Sequence, residues 1–111
     1  MAEKVYICGP MTGLPEFNYP AFFKAADRAK TLGLKPLNPA KNAPKGWMWG
    51  QYLRRSLKMV EQADLMWLLP GWEYSEGARA EFRAALDRKL PIYELINLQP
   101  QLYGEERMQH A

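Results

Sequence analysis

Glu81 is the side chain best placed by its surroundings to do chemistry. It follows Ser75 and Gly77 in a stretch that begins just after the apolar run Asp64-Leu65-Met66-Trp67-Leu68-Leu69 and the chain breakers Pro70 and Gly71. A serine at a helix start can cap the helix or donate to a phosphate or a hydroxyl. A carboxylate about one and a half turns further on can act as a nucleophile toward a sugar anomeric carbon. The same spacing also fits an acid favoured by the helix dipole, or one paired with Arg79 or Arg83.

A second glycine-rich turn, Cys8-Gly9-Pro10-Met11-Thr12-Gly13, follows the β-forming run Val5-Tyr6-Ile7-Cys8. Gly9 and Gly13 permit a tight bend and close backbone approach, and exposed N–H groups there can hold an anion or a sugar hydroxyl. A plain turn that needs glycine is the alternative. No Gly-Lys-Ser/Thr follows and Gly-x-Gly-x-x-Gly is absent, so neither the phosphate loop nor the dinucleotide fingerprint is present. Trp47, Trp49, Trp72 and Tyr74 fall in loop or loop-edge positions, which suits stacking on a nucleobase or an oligomer interface. Tyr6 lies inside a strand and reads by itself as core packing. Cys8, at the end of the same strand, reads as inert packing rather than a reactive thiol. His110 stands next to the last residue, so histidine triads are not expected. No His, Cys and acid cluster has metal-ligand spacing, so no metal site is expected.

These residues need elements to hold them. Val5–Cys8 predicts strand one. Asn18-Tyr19-Pro20 opens a helix with a capping residue followed by proline, Phe22, Ala25, Ala26, Ala29 and Leu32 form its apolar stripe, and Gly33 ends it. Leu34–Leu37 predicts strand two, and 38–46 a loop with two prolines and a glycine. A second helix runs over 49–62 with Leu53, Leu57 and Val60 inward. Asp64–Leu69 predicts strand three. A third helix from about Ser75 turns Ala78, Phe82, Ala85 and Leu86 inward, and Pro91–Leu95 predicts strand four. From Asn97 onward a fifth strand, a short helix or an arm onto another subunit all remain open. This alternation predicts an α/β fold: a flavodoxin-like (Rossmann-like) doubly wound parallel sheet of four or five strands, order 2-1-3-4(-5), with helices on both faces. In such sheets a ligand binds beyond the C-terminal strand ends where the winding reverses, between strands one and three. Both glycine-rich turns follow those strands.

The 111 residues read as one domain, 1–111, and 48% of them are hydrophobic, enough for an ordinary core. A domain this short buries little more than about 60% of its unfolded surface, so a homo-oligomer is expected. No run of about 18 apolar residues predicts a membrane span, and no signal pattern opens the chain. With Cys8 alone there is no internal disulfide, and a cytoplasmic protein is expected. The net charge is +3. Cations including Arg54, Arg55 and Lys58 fall on expected exposed helix faces and read as a solvated surface, or as weak steering of anionic small molecules. A nucleic-acid polymer would call for a denser basic stripe.

Taken together, Tyr6-Ile7-Cys8-Gly9-Pro10-Met11-Thr12-Gly13, Asn38-Pro39-Ala40 and the string from Leu69 to Glu81 resemble the often phage-encoded DUF4406 family. That family is similar to the nucleoside 2-deoxyribosyltransferases and the 2'-deoxynucleoside 5'-phosphate N-hydrolases. The resemblance spans about Val5 to Glu94. It implies a symmetric oligomer with sites near subunit boundaries, no cofactor, and a nucleoside or nucleotide substrate. It places Glu81 as the nucleophile at C1', Tyr6 near the sugar, and Ser75 near the 5'-phosphate of a neighbouring subunit's ligand. The substrate-binding set it suggests joins the first turn (Gly9, Pro10, Met11, Thr12, Gly13) to Ser56, Asp64, Gly71, Trp72, Ser75, Gly77, Trp47 and Trp49. Two positions depart from the pattern. Ser56 stands where those enzymes carry an acid, leaving Asp64 or Glu73 as substitutes, and Thr12 stands where the nucleotide hydrolases carry an arginine. The expected activity is cleavage or transfer at an N-glycosidic bond of a 2'-deoxynucleoside or its 5'-monophosphate, through a covalent Glu-deoxyribosyl intermediate. A non-catalytic nucleotide-sequestering protein and a structural oligomer are the alternatives.

Overall fold

A computed structural model describes residues 2–104. The elements run β1 (Lys4–Cys8), α1 (Tyr19–Thr31), β2 (Lys35–Leu37), α2 (Trp49–Gln62), β3 (Leu65–Leu68), α3 (Glu76–Asp87), β4 (Ile92–Ile96) and β5 (Gln99–Leu102). The sheet order is β2-β1-β3-β4-β5, with the first four strands parallel. This is the flavodoxin-like arrangement expected, and the winding reverses between β1 and β3.

Strand alternation builds two cores from one sheet. On β1, Val5 and Ile7 join Phe22, Ala25, Ala26 and Ala29 of α1, together with Leu65 and Trp67 of β3. Tyr6 and Cys8 point the other way, to a layer containing Val60 of α2 and Ala78 and Ala85 of α3. Val5, Tyr6, Ile7 and Cys8 are all fully buried. A continuous apolar strand is what a sheet covered on both faces demands. Tyr6 is the exception in chemistry, because it carries a hydroxyl into that layer.

The helices differ in detail from the expected apolar stripes. Leu32 is 45% exposed, since α1 has already ended in the turn to Gly33, and Leu86 is 50% exposed. Leu53 and Leu57 are only half-buried, while Ser56 and Glu81 are buried. The inward faces of α2 and α3 are thus rotated toward polar residues at one end. Arg88 locks the two helices together by donating to the Val60 and Ala63 carbonyls at the end of α2. The Val60 carbonyl also accepts from the Ala63 N–H at 3.1 Å, so the guanidinium adds a second donor there and serves the Ala63 carbonyl just past the helix end.

The residues from Asn97 form a hairpin. β5 runs antiparallel to β4, with Ile96 opposite Gln99, and the two-residue turn places Asn97 and Leu98 at φ 53° and 63°. Two left-handed residues in succession match the twist of a tight hairpin, but a leucine there carries no sequence signal for it. The sheet is therefore mixed at one edge. Of the three possibilities left open from Asn97 onward, the fifth strand forms, and it runs antiparallel because a two-residue turn cannot make a parallel crossover. His110 and the rest of 105–111 lie outside the described residues.

At the crevice end β1 and β3 approach closely, and Leu69 N–H donates to the Cys8 carbonyl at 2.8 Å. A Cβ on Gly9 would lie 2.8 Å from the Leu69 Cβ. Gly9→Ala is therefore expected to destabilise the fold by about 1–3 kcal/mol, the range for overpacking. A urea denaturation midpoint that does not fall would contradict this account of Gly9.

Candidate active site

The two glycine-rich turns bound a crevice of about 360 Å³, and Glu81, Tyr6 and Ser56 line it. Three elements bring these side chains together. β1 sends Tyr6 and Cys8 to one face two residues apart. α2 presents Ser56 from its buried stripe, and α3 presents Glu81. The Cys8 thiol donates to the Ala78 carbonyl at 3.4 Å, tying β1 to the turn of α3 that precedes Glu81.

Glu81 is only 8% exposed. Burial raises its carboxyl from the ordinary 4.5 to about 7, while the Tyr6, Cys8 and Ser56 side chains act in the opposite direction by favouring the carboxylate. Burial also pushes the Tyr6 phenol well above its usual value, reinforced by the nearby Glu81 charge. The Cys8 thiol is raised for the same two reasons. At neutral pH both are neutral, and Glu81 is close to half ionised. The Tyr6 hydroxyl lies near enough to Glu81 and Ser56 for both to bias its ionisation, yet it completes no well-formed hydrogen bond with the protein. A buried hydroxyl in that condition, facing a cavity, is poised for a ligand.

The crevice walls are aromatic. Trp49, Tyr52, Leu53 and Ser56 fall at helical spacing along α2 and form one stripe from rim to floor. Tyr52 donates to the Pro44 carbonyl at 2.5 Å and packs on Trp47 with ring centroids 5.7 Å apart. Phe17, Tyr19 and Phe22 supply the facing wall, and Pro39 another part of the lining. Glu16, Phe17 and Asn18 all have left-handed backbone, with φ from 51° to 61°. For residues with a Cβ this is costly, and three in a row ahead of α1 mark a turn held by its surroundings. Asn18 helps hold it. Its side chain does not cap α1 as expected but donates to the Pro10 carbonyl at 3.0 Å, fastening the first glycine-rich turn to the start of α1.

The expected site residues divide into three groups. Tyr6, Gly9, Met11, Thr12, Trp47, Trp49, Ser56, Ser75, Gly77 and Glu81 all line the crevice. Pro10 and Gly71 line an adjoining recess of about 660 Å³, which shares Thr12, Trp49, Ser75 and Gly77 with it. Gly13, Trp72 and Asp64 line neither. Gly13 shapes the turn with φ 83°. Trp72 is buried against Phe82, with centroids 4.5 Å apart, and meets Tyr103 edge-on. Asp64 accepts a hydrogen bond from the Lys4 backbone N–H at 2.8 Å. Lys4 starts β1, so Asp64 sits at the opposite end of the parallel sheet and cannot replace an acid at position 56. Glu73 is exposed and does not line the crevice either. Ser75 caps α3, accepting from Ala78 N–H at 3.2 Å. Phe17, Tyr19, Phe22, Pro39, Tyr52 and Leu53 also line the crevice without being among the expected site residues. The α2 stripe could have shown Tyr52 and Leu53, whereas nothing in the sequence announces the left-handed turn that sets Phe17.

Among the described residues no Lys or Arg lines the crevice, and no group of three or more His, Cys, Asp or Glu could hold a metal ion. None of their helices is long and apolar enough to cross a membrane.

Residues 3–94 match the family described as a domain of unknown function, DUF4406, and the chain belongs to that family. No curated protein matches. Among solved structures, a 2-deoxyribosyltransferase from Bacillus psychrosaccharolyticus is similar in fold. It has a TM-score of 0.65 and 20% identity, over 82% of this chain and 70% of that one. A Leishmania mexicana 2-desoxiribosyltransferase gives 0.63 and 18%, over 85% of this chain and 65% of that one. Both likenesses concern the fold.

The raised Glu81 carboxyl makes a stability prediction. Between about pH 4.5 and 7 the folded state binds more protons at Glu81 than the unfolded state does. Stability therefore falls as pH rises through that window and levels off above it. Glu81→Gln removes the cost of burying the charge. It is expected to be more stable than wild type at pH 8, by up to about 3 kcal/mol, and close to it at pH 4.5. Denaturation curves at the two pH values check this, and equal differences at both would contradict it.

Proposed function

We propose that this protein acts on the N-glycosidic bond of 2'-deoxynucleosides or their 5'-monophosphates, as a hydrolase or a base-transferring enzyme. The observation that carries the reading is a lone buried carboxyl, Glu81, at the floor of an aromatic crevice beside an unsatisfied tyrosine hydroxyl. The fold shared with the 2-deoxyribosyltransferases supports it.

The ionised Glu81 attacks C1' of the deoxyribose. The C1'–N bond breaks, its electron pair leaves with the base, and a glycosyl ester forms on Glu81. Water or a second base then attacks C1', returning the carboxylate with net retention. Tyr6 donates its free hydrogen bond to the sugar or to the carboxylate as its charge changes. Flat rings at Trp47, Trp49, Tyr52 and Phe17 suit a nucleobase, and about 360 Å³ is within the usual size of a small-molecule site. The Ser75 hydroxyl, whose oxygen is engaged as a cap, keeps its hydrogen for a ligand oxygen.

With Ser56 in place, Glu81 is the single acid lining the crevice among the described residues. A hydroxyl there can orient the carboxylate, but it supplies little proton to a departing base. Each lost factor of ten in rate corresponds to about 1.4 kcal/mol, so slow turnover or a preference for bases that leave readily fits this arrangement. The exposed apolar rim, including Phe17, Met48, Trp49 and Tyr74, supports a homo-oligomer with sites near its subunit boundary. A nucleotide-sequestering role uses the same crevice and is separated by turnover.

Incubation with deoxynucleosides and their monophosphates is expected to release free base, resolved by chromatography. Glu81→Ala is expected to lower kcat/KM by about a thousandfold or more. Because the carboxylate is the reactive form, kcat/KM should rise with pH and level off above about 7. Ligand binding without any release of base would leave the sequestering reading instead.

A further inference from the structure

A second groove runs along the outer side of α2, with a volume of about 440 Å³. Trp47 lines both this groove and the crevice, forming a shared wall. The charge is divided sharply between the two. Among the described residues, the crevice lining holds an acid and no cation, while the groove lining holds Arg54, Arg55 and Lys58 and no acid.

Among the described residues, no acid forms an ion pair with these cations. Arg55 is held in place by carbonyl oxygens, donating to Pro39 at 2.9 Å and Lys41 at 3.0 Å, so its charge is oriented but not neutralised. Arg54 and Lys58 are exposed and lie four residues apart on one helix face. Like charges so placed repel one another mildly, and an anion between them relieves this. Gln51 turns its side-chain oxygen inward to accept from Met48 N–H at 2.8 Å, which leaves its amide hydrogens available as donors. Trp47 adds a partly exposed indole at the same groove. Glu61 is on the same helix but outside the groove lining.

We propose that this groove is a second binding site for a phosphate-bearing nucleotide, distinct from the Glu81 crevice. Arg54, Lys58 and Arg55 take the phosphate, and the base stacks on the outer face of Trp47. The site does not depend on the chemistry assigned to Glu81. Because Trp47 is common to both walls, an occupant of the groove also sets the position of one wall of the crevice.

The test uses Glu81→Gln protein, which cannot form the glycosyl ester, titrated with 2'-deoxyadenosine 5'-monophosphate by calorimetry and by amide chemical shifts. Saturable binding is expected, with shifts at Arg54, Arg55, Lys58 and Gln62. Adding Arg54→Glu and Lys58→Glu should weaken it at least tenfold, while the melting temperature stays close to that of the parent. Raised salt should weaken it too. The unphosphorylated nucleoside should leave Arg54, Arg55 and Lys58 unshifted, and inorganic phosphate should bind more weakly than the nucleotide. No binding, binding indifferent to the double charge reversal, or shifts confined to the crevice would each overturn the proposal. Inorganic phosphate binding as tightly as the nucleotide would also overturn it, by removing the part given to Trp47.

Discussion

Removing the Glu81 carboxyl from water costs several kcal/mol if it must stay charged, and the surrounding structure answers that constraint. Tyr6 and Cys8 arrive from β1, Ser56 from α2, and each makes the ionised form less costly without carrying a charge of its own. The helices must then be fixed relative to the sheet. Arg88 fastens α3 to the end of α2, and the Cys8 thiol ties β1 to the Ala78 carbonyl of α3. The close approach at Gly9 and Leu69 sets how near β1 and β3 come at the crevice. Disturbing any of these moves the group whose ionisation is most sensitive to position.

The consequence is a poised acid. A surface glutamate is fully ionised at neutral pH and strongly solvated, hence a poor nucleophile. A buried glutamate with no compensation would remain protonated. Partial compensation leaves Glu81 near about 7, where the carboxylate is accessible and weakly solvated. Serine at 56 contributes to this. A second carboxyl in the cluster would couple its titration to that of Glu81 and divide the proton between two sites. With a hydroxyl there, Glu81 titrates beside neutral neighbours.

Most of the scaffold could be read from the sequence because it follows from periodicity. The run Val5–Cys8 and the run ending at Leu69 are apolar enough to require cover on both faces, and the glycine-rich turns then fall at the winding reversal. Glu81 and Ser75 were visible through their spacing. Other features depend on three-dimensional facts that no local pattern carries. Asp64 and Ser56 are eight residues apart and looked interchangeable, but one sits at each end of the sheet. Trp72 resembles Trp47 and Trp49 in its loop setting, yet the core took it because Phe82 and Tyr103 offer rings to pack on. Phe17 reaches the crevice through three left-handed residues, and β5 forms around a leucine in a position that favours glycine or asparagine. Local propensity argues against both, and tertiary packing overrides it.

The proposed mechanism requires a covalent bond between Glu81 and C1' of the sugar. It is tested most directly by mass spectrometry of protein quenched in acid during incubation with a mixed pool of 2'-deoxynucleosides and their monophosphates, followed by peptide mapping. The account predicts a deoxyribosyl increment on the peptide containing Glu81, absent in Glu81→Gln, together with free base in the supernatant. Base release with the increment on another residue, or release undiminished in Glu81→Gln, would contradict it.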